Sequence, residues 1–384
     1  MSHSWLDRWT PELFMIVVLA LAAFGTLMTY SSSVFYAEEV FHSRYYFLNR
    51  QLTWLALGAA AAAVMRVVHY QWLQRVSWLL LALATGALLL VYVPGLGRSV
   101  NNAARWIRVG PVSIQPSEFA KYAVILFVAE RLSANRRYIE QLFRGVALPL
   151  GIAAVPLLLI AAEPDLGTPV VVGLTVVTLC YVAGTRTSNI AAVALAALPA
   201  VGLLIWMYPY RMRRLVSFVN PDSDPRGAGF QAAQSLIAIG SGHLKGIGLG
   251  KSVQKMFYLP EAHTDFVFSI IGEELGLIGA GALIGAFILL VWLMYRMTRQ
   301  VTDMFGHLVA VGIMTLLGLQ TVINIGVVTS SLPTKGIALP FISYGGSTLV
   351  ATLGACGLLL NIVQNQHNLR SGQPRIRLSE HTVI

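Results

Sequence analysis

Charge is what this sequence has least of. Only 11% of its 384 residues are Asp, Glu, Lys or Arg, less than half of the roughly 25% carried by a soluble domain. A soluble globule of this length could not cover its surface with so few ionised groups. Cysteine is nearly missing as well. Cys180 and Cys356 are the only two, and each lies in an apolar run. A disulfide-stapled secreted fold is therefore excluded, and both thiols are expected as inert packing residues. Collagen-like and disordered classes fall on the same composition, and no low-complexity tract or short internal repeat is visible.

What is present is apolar surface in long blocks. Hydrophobic residues make up 56% of the chain and the mean hydropathy is +0.67, so the solvent for much of the chain must be lipid. Ten runs are candidate spans: 13–32, 52–68, 76–94, 116–132, 146–162, 168–184, 189–208, 266–295, 306–329 and 347–364. Each is near the roughly 17–25 residues that a helix needs to cross the hydrocarbon. The expected fold is an all-α polytopic membrane protein of about ten transmembrane helices. It forms one domain, 13–366, between tails 1–12 and 367–384. The first apolar run continues past signal-peptide length, so a spanning helix is expected there instead of a cleaved leader. Connections are short except for 209–265, between the seventh and eighth spans.

The net charge is +10. On a membrane chain this points to anionic headgroups or a phosphate-bearing substrate, not to nucleic acid. An even span count places both termini on one side. Leaving out 209–265, because long loops are weak topology signals, basic residues divide thirteen to six in favour of cytoplasmic termini. The 209–265 connection is then extracytoplasmic, and the outer loops hold basic residues that topology does not explain.

Polar residues in or beside spans are functional candidates. Arg105-Trp106-Ile107-Arg108 precedes Gln115-Pro116-Ser117-Glu118-Phe119-Ala120-Lys121. Ser117 or Gln115 can cap the fourth span, and Glu118 and Lys121 share a helix face. They form either a neutralising ion pair or a polar cavity in which Lys121 faces a phosphate. Glu163-Pro164-Asp165-Leu166-Gly167-Thr168 reads as a tight turn in which Asp165 or Thr168 caps the sixth span.

In the long connection, Tyr208-Pro209-Tyr210-Arg211-Met212-Arg213-Arg214 is an aromatic-basic string. Asn220-Pro221-Asp222 is a turn, and 229–240 suits a helix lying at the interface. Gly246 to Ser252 imitates a phosphate loop, but Lys245 stands where that motif needs Gly, so nucleotide binding is rejected. Tyr258 to Phe268 closes the connection. Asp265 there is either an N-cap or a partly buried proton acceptor. His263 with Glu261 is a weak metal pattern. Glu273 and Glu274, two turns into the eighth span, need partners, one of them expected to be a basic residue on another helix. Leu332 to Gly336 and Leu339 to Ser347 break helix repeatedly, the pattern of a re-entrant or cavity-lining segment with Lys335 beside it.

Together these motifs resemble the SEDS family (shape, elongation, division and sporulation), the FtsW and RodA kind of polytopic peptidoglycan glycosyltransferase. The likeness runs from about Leu13 to Asn365, and Gly250 to Asp265 looks more like the division type, with Lys251 where Asn is common. The resemblance implies polymerisation of lipid II, a disaccharide-peptide on undecaprenyl pyrophosphate, at the outer face of the bacterial inner membrane. It implies a large extracytoplasmic loop between helices seven and eight and an essential carboxylate at Asp265, with Arg105 and Lys121 at matching positions. It also implies action with a class B penicillin-binding transpeptidase and other division proteins.

The mechanism expected is an inverting single displacement with Asp265 as general base and undecaprenyl pyrophosphate leaving. One base then suffices, unlike the carboxylate pairs of hydrolases. Glu118, His263 and Thr264 join Arg105, Lys121 and Lys335 as candidate substrate contacts. Positive charge for the pyrophosphate comes from Arg105, Lys121 and Lys335, or from a divalent cation, magnesium or manganese, whose ligands the sequence does not name. A flippase for lipid-linked sugars is the rival reading, because broken segments and buried charges also suit a transporter. A pure scaffold would not need buried Asp, Glu and Lys.

Overall fold

The computed structural model describes residues 5–370, apart from 101, 102, 111, 164, 221–223, 225 and 226. The expectations for Pro164, for the Pro221-Asp222 turn and for the tail from 371 onward lie outside the described residues. Helices α1 (Trp5–Phe41), α2 (Tyr46–Val67), α3 (Tyr70–Leu90), α4 (Pro116–Ala134), α5 (Leu148–Ala162), α6 (Gly167–Ala183) and α7 (Thr187–Trp206) come first. Then follow α8 (Pro209–Val219), α9 (Ala228–Ser241), α10 (Val267–Thr298), α11 (Met304–Val328) and α12 (Gly346–Arg370). Every one of the ten apolar runs is helical. Among the described residues seven stretches are long and apolar enough to cross a membrane: those of α1, α3, α5 with the π-helical turn before it, α7, α10, α11 and α12. Helix α6 is apolar but shorter, and α4 carries Glu118, Lys121, Glu130 and Arg131.

Two features depart from the expectation. The connection before α4 holds a three-stranded antiparallel sheet, β1 (Gly97–Val100), β2 (Ala103–Val109) and β3 (Val112–Ile114), in the order β1-β2-β3. Ile107 stands opposite Gly97 on one side and Ile114 on the other. Strands this short carry too few alternations to register as a period-two pattern. The second departure is at the start of α4. Gln115 holds the N-cap position without a side-chain cap. Its amide instead donates to Ser347 Oγ at 2.9 Å, tying the α4 entrance to α12. Pro116 suits the first turn because its missing N–H has no helical acceptor to lose.

Helices α4, α11 and α12 form the interior, and α7 has no buried residue. Glycines allow close approach. A Cβ on Gly357 would lie 2.2 Å from the Ala62 carbonyl of α2, and one on Gly25 would lie 2.1 Å from that of Phe341.

Helix α10 is broken. Gly276 takes φ 67° and ψ −167°, a region that is essentially glycine-only. The break opens carbonyls of the first half and amides of the second, and lipid offers them no partner. The chain at 243–248 supplies the partners. Ile247 and Gly248 donate to Glu273 O and Glu274 O, both at 3.0 Å, while Leu277 and Ile278 donate to His243 O and Leu244 O at 2.9 and 3.2 Å. The glycines that imitated a phosphate loop serve this insertion, with Gly246, Gly248 and Gly250 at φ 78°, 105° and 77°.

A Cβ on Gly276 would sit 2.3 Å from Gly246 N and 2.6 Å from Leu244 O. Gly276→Ala is expected to destabilise by at least about 1–3 kcal/mol. Thermal unfolding of the purified protein in detergent measures this, and an unchanged midpoint would contradict the assigned break.

Candidate active site

Asp265 lies two residues before α10, at the end of the connection that leads into it. Phe266 holds the N-cap position of α10 and no side chain caps it, so Asp265 is not spent as a cap. Its carboxyl is pushed up to about 7, by burial first and then by Glu261 and Asp165, against the opposing pull of Arg214 and Arg105. A carboxyl half-ionised near neutrality suits a proton acceptor.

Several chain segments converge around it. Arg105 on β2 donates from Nε to Glu163 O at 3.0 Å, just past the end of α5. Arg211 on α8 donates to Leu204 O at 2.7 Å and to Ala161 O, and Arg214 donates from Nη1 to Thr334 O at 2.9 Å. The Arg214 guanidinium also lies over the Tyr210 ring, 4.6 Å from its centre. Lys335, next in the chain after Thr334, is lowered by burial, with Asp165 opposing and Arg214 and Arg211 adding to the effect. Arg105, Arg211, Arg214 and Lys335 thus form one cationic cluster around Asp165, Glu163 and Asp265. Among the described residues, buried polar atoms without a partner gather here too: Nε of Arg211, Nε of Arg214, Thr334 Oγ1 and both carboxyl oxygens of Glu163. Unpaired groups in such number suit a polar ligand that would satisfy them.

Leu166, not Asp165 or Thr168, holds the N-cap position of α6, but Asp165 just before it accepts from Thr168 N at 3.1 Å and from Thr168 Oγ1 at 2.8 Å and so meets an amide of the first turn. Glu163 is more than a turn residue. It is buried, and its carboxyl is pushed up to about 8 by burial and then by Asp165, with Arg105 opposing. At neutral pH it is mostly protonated.

The other candidates divide. Thr264 Oγ1 donates to Glu261 Oε2 at 2.8 Å. His263 is packed among aromatics, with ring centres 5.4 Å from Tyr36 and 4.8 Å from Phe47, and burial lowers it, so the ring is neutral near pH 7. Glu118 and Lys121 bond to each other at 2.7 Å, with the Lys121 side chain fully buried. This geometry is the neutralising pair. Among the described residues no three of His, Cys, Asp and Glu gather as metal ligands.

The basic partner of Glu274 comes from the connection, not from another helix. Lys255 Nζ is 2.7 Å from Glu274 Oε1, with both side chains fully buried. Ser31 of α1 donates to the same carboxylate at 2.6 Å. Val253 N donates to Glu273 at 2.9 Å and Ser252 Oγ bonds it as well. The Ser of the apparent phosphate loop is therefore already engaged. Arg211 and Arg214 were visible in the sequence only as an interfacial basic string. Two of their carbonyl partners, Ala161 and Thr334, are remote in sequence, so no local pattern marks them.

The family model for the FtsW, RodA and SpoVE cell cycle proteins matches residues 11–368. A probable peptidoglycan glycosyltransferase FtsW of Geobacter metallireducens is 43% identical over 91% of this chain and 93% of its own length. The stage V sporulation protein E of Bacillus subtilis is 42% identical over 92% of this chain and 97% of its own. Among solved structures, a chain of a peptidoglycan synthase complex that coordinates polymerization and crosslinking superposes with a TM-score of 0.75. It is 29% identical, covering 92% of this chain and 97% of that one. The rod shape determining protein RodA of Thermus thermophilus gives 0.69 at 28% identity, covering 92% and 96%.

Two outcomes follow from the geometry. Lys255→Met strands Glu274 as a buried charge and should cost about 3–5 kcal/mol, read as a lowered unfolding midpoint. An undiminished midpoint would remove the ion pair from the account. Glu163 binds its proton more tightly folded than unfolded, so it makes stability fall as pH rises from about 4.5 to about 8. Glu163→Gln should therefore raise the midpoint relative to the natural protein at pH 8 and not at pH 4, as scanning at both pH values would measure.

Proposed function

The chain belongs to the FtsW, RodA and SpoVE family of cell cycle proteins, and from that premise we propose that it is a peptidoglycan glycosyltransferase that polymerises lipid II. The observation that carries the reading is Asp265, half-ionised near neutrality and acted on by Arg105 and Arg214. A base poised at working pH beside concentrated positive charge is what transfer from a sugar pyrophosphate requires. The names of the relatives favour a transferase over a flippase.

In the proposed step the 4-hydroxyl of the acceptor sugar attacks the anomeric carbon of the lipid-linked donor. Asp265 takes the hydroxyl proton as the new bond forms. The bond from the anomeric carbon to pyrophosphate breaks, and undecaprenyl pyrophosphate leaves with the electron pair. An α-linked donor gives a β-linked product. Arg105, Arg211, Arg214 and Lys335 balance the charge that grows on the pyrophosphate. A magnesium or manganese ion on the pyrophosphate would add to that charge. Lys121 can join them only by exchanging Glu118 for a phosphate, because the two are paired.

The same reading puts the catalytic domain at 13–366, both termini in the cytoplasm and 209–265 outside. It places the protein in the bacterial inner membrane at the division septum, beside a class B penicillin-binding transpeptidase. The thirteen-to-six distribution of basic residues supports this orientation.

The test is glycan formation from purified lipid II in detergent, where no membrane sidedness exists and flipping yields no product. The natural protein should form polymer, with a rate that rises through about pH 7 as Asp265 loses its proton. Asp265→Asn should lose at least about 100-fold. A folded Asn variant with full activity would overturn the assignment of the base.

A further inference from the structure

Asn324 lies within α11, in an apolar run, and is 1% exposed. A buried amide in a membrane helix is costly unless its hydrogens are used. Both are. Nδ2 donates to Asp265 O at 2.9 Å and to Ile337 O at 2.7 Å. These carbonyls belong to irregular segments, 59 and 13 residues from Asn324 in the chain. The orientation of the amide is forced, since Oδ1 turned toward two carbonyls would repel both. No ladder or helix passes through either carbonyl, so replacing the amide with an apolar side chain would take a partner from the buried Ile337 carbonyl and from the part-buried Asp265 carbonyl.

The second observation is Gly336, between Lys335 and Ile337. A Cβ built there would stand 2.6 Å from Asp265 Oδ2. The bare backbone of Gly336 is therefore a wall against the carboxylate. Asn324 fixes that wall at one end through Ile337 and fixes the backbone of Asp265 at the other.

We infer that Asn324 is a positioning residue for the transfer reaction: its amide clamps the 335–337 segment against Asp265 and so sets where the carboxylate stands relative to Lys335. The inference rests on the reading of Asp265 as the base. Nothing requires Asn324 to touch substrate. Its work is to hold two irregular segments in register, where a displacement of about 1 Å is worth about 100-fold in rate. The close approach of Gly336 adds to the burial that raises the Asp265 carboxyl. Loosening the clamp lets more water reach Asp265 and returns it toward the ordinary carboxylate range, so the pH at which the base ionises reports the clamp.

The experiment compares Asn324→Leu, Gly336→Ala and Asp265→Asn with the natural protein in lipid II polymerisation, with thermal midpoints measured alongside. Leu keeps the branching of the Asn324 side chain, is larger, and removes both donors. It should lower kcat about 100-fold, leave KM within about twofold, and move the acid limb of the pH profile below its natural position near pH 7. Gly336 is exposed, so Gly336→Ala should keep the natural midpoint while its methyl displaces the carboxylate and lowers kcat. If Asn324→Leu does not fold, Gly336→Ala decides alone. Folded variants with natural kcat and an unmoved acid limb, beside an inactive Asp265→Asn, overturn the clamp and leave the base standing. Full activity in Asp265→Asn removes the base, and the clamp with it.

Discussion

A backbone polar group at membrane depth must find its partner inside the protein, and the break of α10 at Gly276 leaves carbonyls and amides to be met at once. Much of the architecture between α9 and Asp265 answers that demand. Residues 243–248 can repair the break only if the chain turns sharply on both sides, hence the positive φ of Gly246, Gly248 and Gly250. The repair brings the following residues over α10, where Ser252, Val253 and Lys255 meet Glu273 and Glu274. The connection that carries Asp265 is thereby held to α10 from 243 to 255. A buried ion pair contributes little net stability. Its value here is registry, because among the described residues Glu274 is the carboxylate with which the buried Lys255 ammonium pairs.

The same economy governs the site. Irregular chain near lipid exposes carbonyls, and arginines satisfy them: Arg105 and Arg211 at the end of α5, Arg214 at Thr334. The end of a helix carries partial negative charge, so cations are favoured there in any case. Using part of each guanidinium for structure leaves its charge, and for Arg211 and Arg214 an unpartnered Nε, available to a phosphate. Under the proposed function, structural satisfaction and substrate affinity are served by the same side chains. This explains why basic residues accumulate where topology alone would not place them.

Several parts of this arrangement were legible in the chain. Ten apolar runs announced helices, because spanning length in lipid leaves few alternatives. Asp265, Arg105 and Lys335 stood out because charge beside a span is rare enough to notice. Glu273 and Glu274 demanded partners for the same reason. Other parts were not legible. The three strands before α4 are too short for periodicity. Asn324 is one polar residue in a long apolar helix, and only the arrival of Asp265 and Ile337 at its amide gives it meaning. Glu163 read as part of a turn, since its burial beside Arg105 and Asp165 depends on where α5 and β2 meet.

Composition and periodicity thus determined by themselves that this is a multi-pass helical membrane protein with its scarce charges at a few segments. Hydrophobic length and the energetic penalty of charge in lipid are local properties and can be counted along the chain. Which charge answers which was decided only by tertiary structure. Lys121 turned to Glu118 on its own helix, Lys255 of the connection turned to Glu274 in the first half of α10, and Asp265 was set between Gly336 and the arginines. Those choices depend on distances between segments far apart in sequence, and the folded packing alone sets them.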